Sequence, residues 1–245
     1  MKKKFIALTI LFFTTVMLFS SSNKTDSDLI ETINKNITPY RDNYLEFTII
    51  TNEIVMSNYE DKNIFKVILD HGKLDIKLTE KYKDLGSTKE ENEFLEKALN
   101  EISMLLKYLA GFYFGNGFPE NILIYENSEN NMTLYNEYTY DNLDCINYYS
   151  INDYLLKETQ VFHKNNSQVQ VDTKYFYKTY QNRNYLKGFN SKNNFHSFDF
   201  SLVIDYSEKN NILVPTKFTV KIKQNIDDQL VNSRFIITAE NHIIK

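Results

Sequence analysis

From Ile122 to its last residue the chain is written in a period of two. Phe198, Phe200, Leu202, Ile204 and Tyr206 fall on one side of that pattern, with Ser197, Asp199, Ser201 and Asp205 on the other. Val214, Thr216, Phe218, Val220 and Ile222 oppose Lys217, Thr219, Lys221 and Lys223 in the same way. Nearer the end, Val231, Phe235 and Ile237 oppose Asn232, Arg234 and Thr238, and Val171, Thr173, Tyr175 and Tyr177 make a more aromatic face. Only an extended strand sends successive side chains to opposite sides, and one-sided alternation belongs to an antiparallel sheet with one wet face. Breaks rich in Asn, Ser and Asp, at 126–131, 164–167, 188–194 and 208–211, divide this half into consecutive strands.

The first half adds helices. Ser27 suits an N-cap, Leu29, Ile30, Ile33 and Ile37 follow at roughly helical spacing, and Pro39 ends the run. A short amphipathic helix of about ten residues is expected there. Leu45, Phe47 and Ile49 then alternate with Glu46 and Thr48 as a strand. Residues 64–79 read as two strands around Asp70-His71-Gly72-Lys73, with Gly72 offering the positive φ of a tight hairpin. A longer helix is expected from Ser87 to Ala110. Ser87-Thr88-Lys89-Glu90 forms a capping box, Phe94, Ala98, Ile102, Leu105 and Leu109 make an apolar stripe, and Gly111 stops it.

Strands alone would fit a two-sheet sandwich equally well, but apolar-striped helices need a sheet face to cover. The expected fold is therefore α+β and mostly antiparallel β, a single curved sheet (an incomplete barrel) wrapped around a few helices. It forms one domain over residues 23–245.

The preceding residues have the three parts of a secretory signal. Lys2, Lys3 and Lys4 are followed by the apolar run from Phe5 to Phe19 and the small residues Ser20, Ser21 and Ser22. That run is shorter than the ~20 residues that span a bilayer as a helix. No cysteine lies near the junction, so the expected product is exported, unlipidated and soluble, periplasmic or secreted, with 1–22 as a cleaved signal peptide. Its loss takes the 28 basic residues to 25 against 32 acidic ones, a formal charge of −7. That argues against a nucleic-acid partner or a polybasic membrane patch.

Chemistry-bearing motifs are missing. Cys145 stands alone in a Tyr- and Asn-rich stretch, so it makes no internal disulfide and reads as a buried thiol. His71, His163, His196 and His242 are scattered without metal-ligand spacing. His71 beside Asp70 is expected to be an exposed turn residue pointing away from it, and His196 and Asp199 face opposite sides of a strand. Glu90, Glu91, Glu93 and Glu96 suit the solvated first turns of a helix. The glycines and aromatics of 111–119 lack the Lys-Ser/Thr of a phosphate loop. No catalytic residue, metal or cofactor is expected, and no enzymatic activity.

The order of parts resembles the LolA/LolB-like family of periplasmic lipoprotein carriers and lipoprotein-sorting proteins. The likeness rests on the helix opening Ser27-Asp28-Leu29, the early strand Phe47, the internal helix and the late antiparallel run. Leu213-Val214-Pro215-Thr216-Lys217 and Asn241-His242-Ile243 resemble the sorting branch's closing strands. The chain departs from the family in its middle strands ahead of the main helix and lacks the usual Asp-Gly turn before an aromatic strand. Arg41 matches a lid-tethering arginine only approximately, and no role is carried over to it.

The resemblance implies an apolar half-barrel that accepts acyl chains of lipid or lipoprotein, in a monomer that contacts the envelope peripherally. Phe47, Ile49, Phe198, Phe200, Phe218 and Phe235 are the candidate cavity residues. The same side chains could instead fill a dry core. The competing class is a secreted structural or protein-interaction β-module, for which Tyr135, Tyr138, Tyr140, Tyr148 and Tyr149 would supply a surface.

Overall fold

The computed structural model describes residues 27–40, 42–51, 65–71, 73–79, 89, 93, 96, 118, 121–128, 131–140, 143–165, 168–194, 197–226 and 229–245. The expected signal peptide, Arg41, Gly72, His196 and most of the expected helix at 87–110 lie outside them. The described residues of that helix, Lys89, Glu93 and Glu96, are helical. Lys89 Nζ lies 3.7 Å from the Glu93 carboxylate one turn on, and both side chains are exposed.

One helix and twelve strands have defined bounds. Helix α1 (Ser27–Ile37) precedes β1 (Tyr44–Thr51), β2 (Phe65–Asp70), β3 (Lys73–Leu78), β4 (Leu123–Ser128) and β5 (Asn131–Tyr140). Then come β6 (Leu143–Asn152), β7 (Leu155–His163), β8 (Val169–Tyr180), β9 (Arg183–Asn193), β10 (Phe198–Lys209), β11 (Ile212–Ile226) and β12 (Gln229–Ile244). The expectation of a sheet around a few helices is thus met in its β part. Among the described residues a single short helix with defined bounds accompanies it, besides the helical Lys89, Glu93 and Glu96.

All twelve strands form one sheet in the order β3-β2-β1-β12-β11-β10-β9-β8-β7-β6-β5-β4. Every neighbouring pair is antiparallel, and every pair except β1–β12 joins strands consecutive in sequence. This is the order of an up-and-down barrel with one pairing absent, that between β3 and β4. The architecture is an open, incomplete barrel.

Tight turns make the meander possible. Asp153-Tyr154, Gln181-Asn182 and Asn210-Asn211 each occupy a two-residue loop with both φ values between 47° and 61°. That is the turn whose twist matches the flanking strands. Asn and Asp tolerate the left-handed region better than other side chains, so part of the chain's asparagine has structural work. His71 takes the same conformation, φ 46°, between the paired Asp70 and Lys73 of the β2–β3 hairpin. The expected break at 188–194 is corrected. Strand β9 runs through it to Asn193, and Asn194 and Ser197 are turn residues. Gly188 belongs inside the strand because a Cβ there would stand 2.2 Å from the carbonyl oxygen of Leu202 on β10.

The alternation read from sequence places one face in the core. Leu45, Phe47 and Ile49 of β1, Phe65, Val67 and Leu69 of β2, and Phe198, Phe200, Leu202 and Ile204 of β10 are all buried. They belong to one cluster that also takes in residues of β5 to β7, β9, β11, β12 and α1. In α1, Ile33 and Ile37 are fully buried, and the helix lies against β7 and β9. An 11-residue helix is ~16 Å long, whereas twelve flat strands span ~55 Å. The helix alone therefore leaves most of the face's width to be covered otherwise.

Tyrosines fasten the residues after α1 to the sheet. The Tyr40 hydroxyl donates to the Leu213 carbonyl at 2.7 Å, and its ring meets Tyr185 edge-on at 5.8 Å. Tyr185 meets Tyr206 at 5.7 Å, and the Tyr206 hydroxyl donates to the Leu186 carbonyl at 2.6 Å. Burial pushes the Tyr40 and Tyr206 hydroxyls well above the ordinary phenol value, so both remain neutral donors.

Replacing Gly188 by Ala should cost about 2 kcal/mol of stability, the penalty of forcing an atom into a closed contact. Urea unfolding measures it. An unchanged midpoint would show that β9 and β10 can part at this point.

Candidate functional site

The sheet's buried face takes in five of the six expected cavity residues, Phe47, Ile49, Phe198, Phe200 and Phe218. Phe47 pairs with Val67 and Ile49 with Ala239. Phe218 stands between Ile237 and Ile204, and Phe200 lies opposite Ile222. Phe47, Ile49 and Phe218 are 0% exposed, and Phe198 and Phe200 are 6% and 4% exposed. Phe235 pairs with Val220 in the backbone register, and its side chain lies outside the described residues. Each such side chain contributes roughly 1.5–3 kcal/mol by leaving water.

Sequence reasoning missed what lies beside this apolar field. On the same face a polar group crosses β5 to β9. Asn136 faces Asn147, Thr159 faces Thr173, Thr173 faces Ser191, and Val171 faces Asn193. All of these polar residues are buried. Most are satisfied among themselves. Thr173 Oγ1 donates to Ser191 Oγ at 2.8 Å, and the Thr159 and Tyr175 hydroxyls share a bond at 3.3 Å. Asn147 Nδ2 donates to the Tyr149 hydroxyl at 2.8 Å, which donates on to Asn136 Oδ1 at 3.0 Å. Two atoms are left over, Asn136 Nδ2 and Asn147 Oδ1, both buried without a hydrogen-bond partner among the described residues. An unmet buried donor or acceptor costs about 1–3 kcal/mol.

Phe118 meets the Tyr149 ring edge-on at 5.2 Å, and its backbone N–H donates to Asn34 Oδ1 of α1 at 3.0 Å. One residue thus links α1 to the strand carrying this group. A signal was present in the sequence. Met132, Leu134, Asn136 and Tyr138 alternate as one inward set, and so do Cys145, Asn147, Tyr149 and Ile151, with asparagine where the pattern asks for an apolar residue.

The group has little about it of catalysis. Burial drives the Tyr149 hydroxyl far above the ordinary phenol value. Burial first, and then Asp144, raises the Cys145 thiol. Cys145 is 1% exposed and packs with Val161, Val171 and Tyr138 in a small second cluster. No set of three or more metal-ligating side chains occurs among the described residues. Contrary to expectation, His71 does meet Asp70, Nδ1 to Oδ1 at 2.7 Å, but both side chains are mostly exposed. A polar cleft of about 170 Å³ near the end of α1 is lined by residues that include Lys35, Asp42, Asn182 and Arg183.

The expected tyrosine surface divides between faces. Tyr149 is fully buried and Tyr138 packs against the second core cluster, while the Tyr140 side chain lies outside the described residues. Tyr135 and Tyr148 instead join Tyr125 and Phe162 in a ladder of ring contacts 5.5–6.1 Å apart, with Tyr125 65% exposed at edge strand β4.

No helix among the described residues is long and apolar enough to cross a membrane. No protein-family model matches the chain, and no curated protein or solved structure is significantly similar to it.

His242 supplies a pH probe of the apolar field. Its ring packs 5.5 Å from Phe47, and Nε2 lies 2.7 Å from the Pro215 carbonyl. Burial and then the Lys209 charge depress its pKa, against the Pro215 bond and Glu240. Its contribution to stability is full above about pH 6.5, the unfolded imidazole's value, and declines as the pH falls below it. The decline ends once the folded ring is protonated too. In His242→Gln the thermal midpoint should fall less steeply between pH 6.8 and 5.5 than in the parent. Equal slopes would remove His242 as the cause.

Proposed function

We propose that this chain is an exported carrier that holds the acyl chains of a lipid or lipoprotein, or a comparable apolar ligand, inside its incomplete barrel. One observation carries the reading. The strand order lacks a single pairing of a closed up-and-down barrel, and nearly every strand contributes apolar side chains to one face. A barrel left open at one seam has an apolar interior and a side through which that interior can be reached. In this reading α1, which lies against β7 and β9, covers part of the open face. Phe47, Ile49, Phe198, Phe200, Phe218 and Phe235 line the acyl site.

The chemistry is partition. Each methylene transferred from water contributes about 0.8 kcal/mol. A chain of ten or more carbons then exceeds the several kcal/mol that association costs. No cofactor, metal or reaction is needed. The resemblance to the lipoprotein carriers and the signal-like segment at 1–22 support an envelope setting for it.

A second reading has its own observation. The outward ladder of Tyr125, Tyr135, Tyr148 and Phe162 beside an edge strand suits a protein-interaction module.

Native mass spectrometry of protein purified from the envelope of its own cells separates the two. The carrier reading expects added mass of lipid or lipoprotein, lost in Phe200→Asp while the near-ultraviolet circular dichroism stays that of the parent. A clean apo mass with a stable protein partner would overturn it in favour of the module. Loss of the folded spectrum in Phe200→Asp would assign that residue to the core, and the copurified mass of the parent then decides.

A further inference from the structure

We propose that Asn136 and Asn147 form a recognition point for a secondary amide, so that the preferred ligand is an N-acylated amine and not a bare hydrocarbon or an ester. This rests on the carrier reading and specifies which chemical group the carrier distinguishes.

The argument begins with the proton count of one hydroxyl. Tyr149 has a single O–H, which it donates to Asn136 Oδ1, and its oxygen accepts from Asn147 Nδ2. The hydroxyl stays protonated because burial raises its pKa. Turning both side-chain amides about would exchange their roles and change nothing in the sum. One amide must offer its oxygen to the hydroxyl and the other its nitrogen. The pair therefore always retains one N–H donor group and one carbonyl acceptor, here Asn136 Nδ2 and Asn147 Oδ1.

The two atoms belong to residues opposite each other on adjacent strands, as Asn136 and Asn147 are register partners of β5 and β6. Both residues are more than nine-tenths buried, at 1% and 8% exposed. Directly alongside, Leu134 pairs with Tyr149, and both belong to the main apolar cluster. A free donor and a free acceptor on paired residues, at the edge of an apolar field, can both be met by one group that carries a carbonyl oxygen and an N–H, with a hydrocarbon attached. A secondary amide on an alkyl chain is that group. An ester of equal length supplies the carbonyl and leaves Asn147 Oδ1 unmet, and a site built for a hydrogen bond rejects the analogue lacking it. Charged headgroups fit poorly, since no ionised side chain belongs to the group.

The test compares N-ethyloctanamide with ethyl octanoate. They differ by one N–H, and their binding to the delipidated full-length protein is followed by displacement of a fluorescent apolar probe. The amide is expected to bind about tenfold more tightly. That preference should vanish in Asn136→Leu and Asn147→Leu, with ester affinity unchanged. Asn147→Leu removes the unmet carbonyl, while Asn136→Leu also takes the acceptor from the buried Tyr149 hydroxyl and should lower the thermal midpoint. Equal affinities in the parent protein would overturn the proposal and leave the carrier reading standing. That is also the result expected if a permanent water bridges the two asparagines. Binding of neither compound would bring down the carrier reading and this inference with it. The parent comparison is decisive on its own should a variant fail to fold.

Discussion

The pairing of β1 with β12 is the contact on which everything else depends. It joins residues almost two hundred positions apart, from Leu45 opposite Ile244 to Thr51 opposite Ile237. Every other pairing in the sheet links strands that follow one another, and a hairpin needs little loop closure. Without β1–β12 the chain would be a three-stranded unit and a separate nine-stranded meander, each with an added open edge. The junction also aligns the cores, setting Ile49 against Ala239 on the face already shared with Val67 and Phe65. Its register shifts between Glu46 and Thr48, opposite a stretch where Asn241 adopts a left-handed φ of 54°. Reciprocal backbone bonds between Tyr44 and Lys245, at 3.3 and 3.1 Å, close its end. On the outer side Glu46 holds Lys66 at 2.7 Å and accepts from the Tyr44 hydroxyl at 2.6 Å. Those bonds keep its carboxylate below the ordinary range.

The consequence of that junction is a sheet with its two free edges at β3 and β4, strands consecutive in the chain. They are composed differently. Edge strand β3 alternates Lys73, Asp75 and Lys77 with Leu74, Ile76 and Leu78, and charge along an edge discourages pairing with another molecule. Edge strand β4 carries Tyr125 into the aromatic ladder and has Glu126 as its one charged residue.

How much of this was legible in the sequence follows from how local each feature is. The period-two alternation of β1, β10 and β11 is a property of successive residues, and it gave the buried sides of Phe47, Phe200 and Phe218 correctly, but not the register shift at Thr216 or the burial of Thr219. The short helix at Ser27–Ile37 was readable from its apolar spacing and Pro39. Strand β9 was not, because Gly188 resembles a break until its closeness to Leu202 is known, and that closeness is a contact between strands. The Asp70–His71 contact was misjudged for a related reason. A left-handed turn residue redirects its side chain in a way that simple alternation does not describe. Of the candidate site, the burial of Phe47, Ile49, Phe198, Phe200 and Phe218 was legible. The buried polar group was not, because Asn136, Asn147 and Tyr149 become a unit only through the register of β5 on β6, which no local pattern specifies.

That register bears on what the interior is for. An apolar surface attracts any hydrocarbon in proportion to its area and distinguishes little between chains of equal length. Buried amides behave in the opposite way. They oppose folding when unmet and reward only a ligand that meets both their donor and their acceptor. Asn136 and Asn147 also satisfy the buried Tyr149 hydroxyl, so leucine at Asn136 would exchange one unmet group for another, whereas leucine at Asn147 would remove an unmet carbonyl. Placed beside Leu134 and Tyr149, at the border of the apolar field, the two left-over atoms would give the interior of the proposed carrier a direction. In that carrier the hydrocarbon would supply the affinity, and the pair of asparagines would fix which end of the ligand is held at β5 and β6.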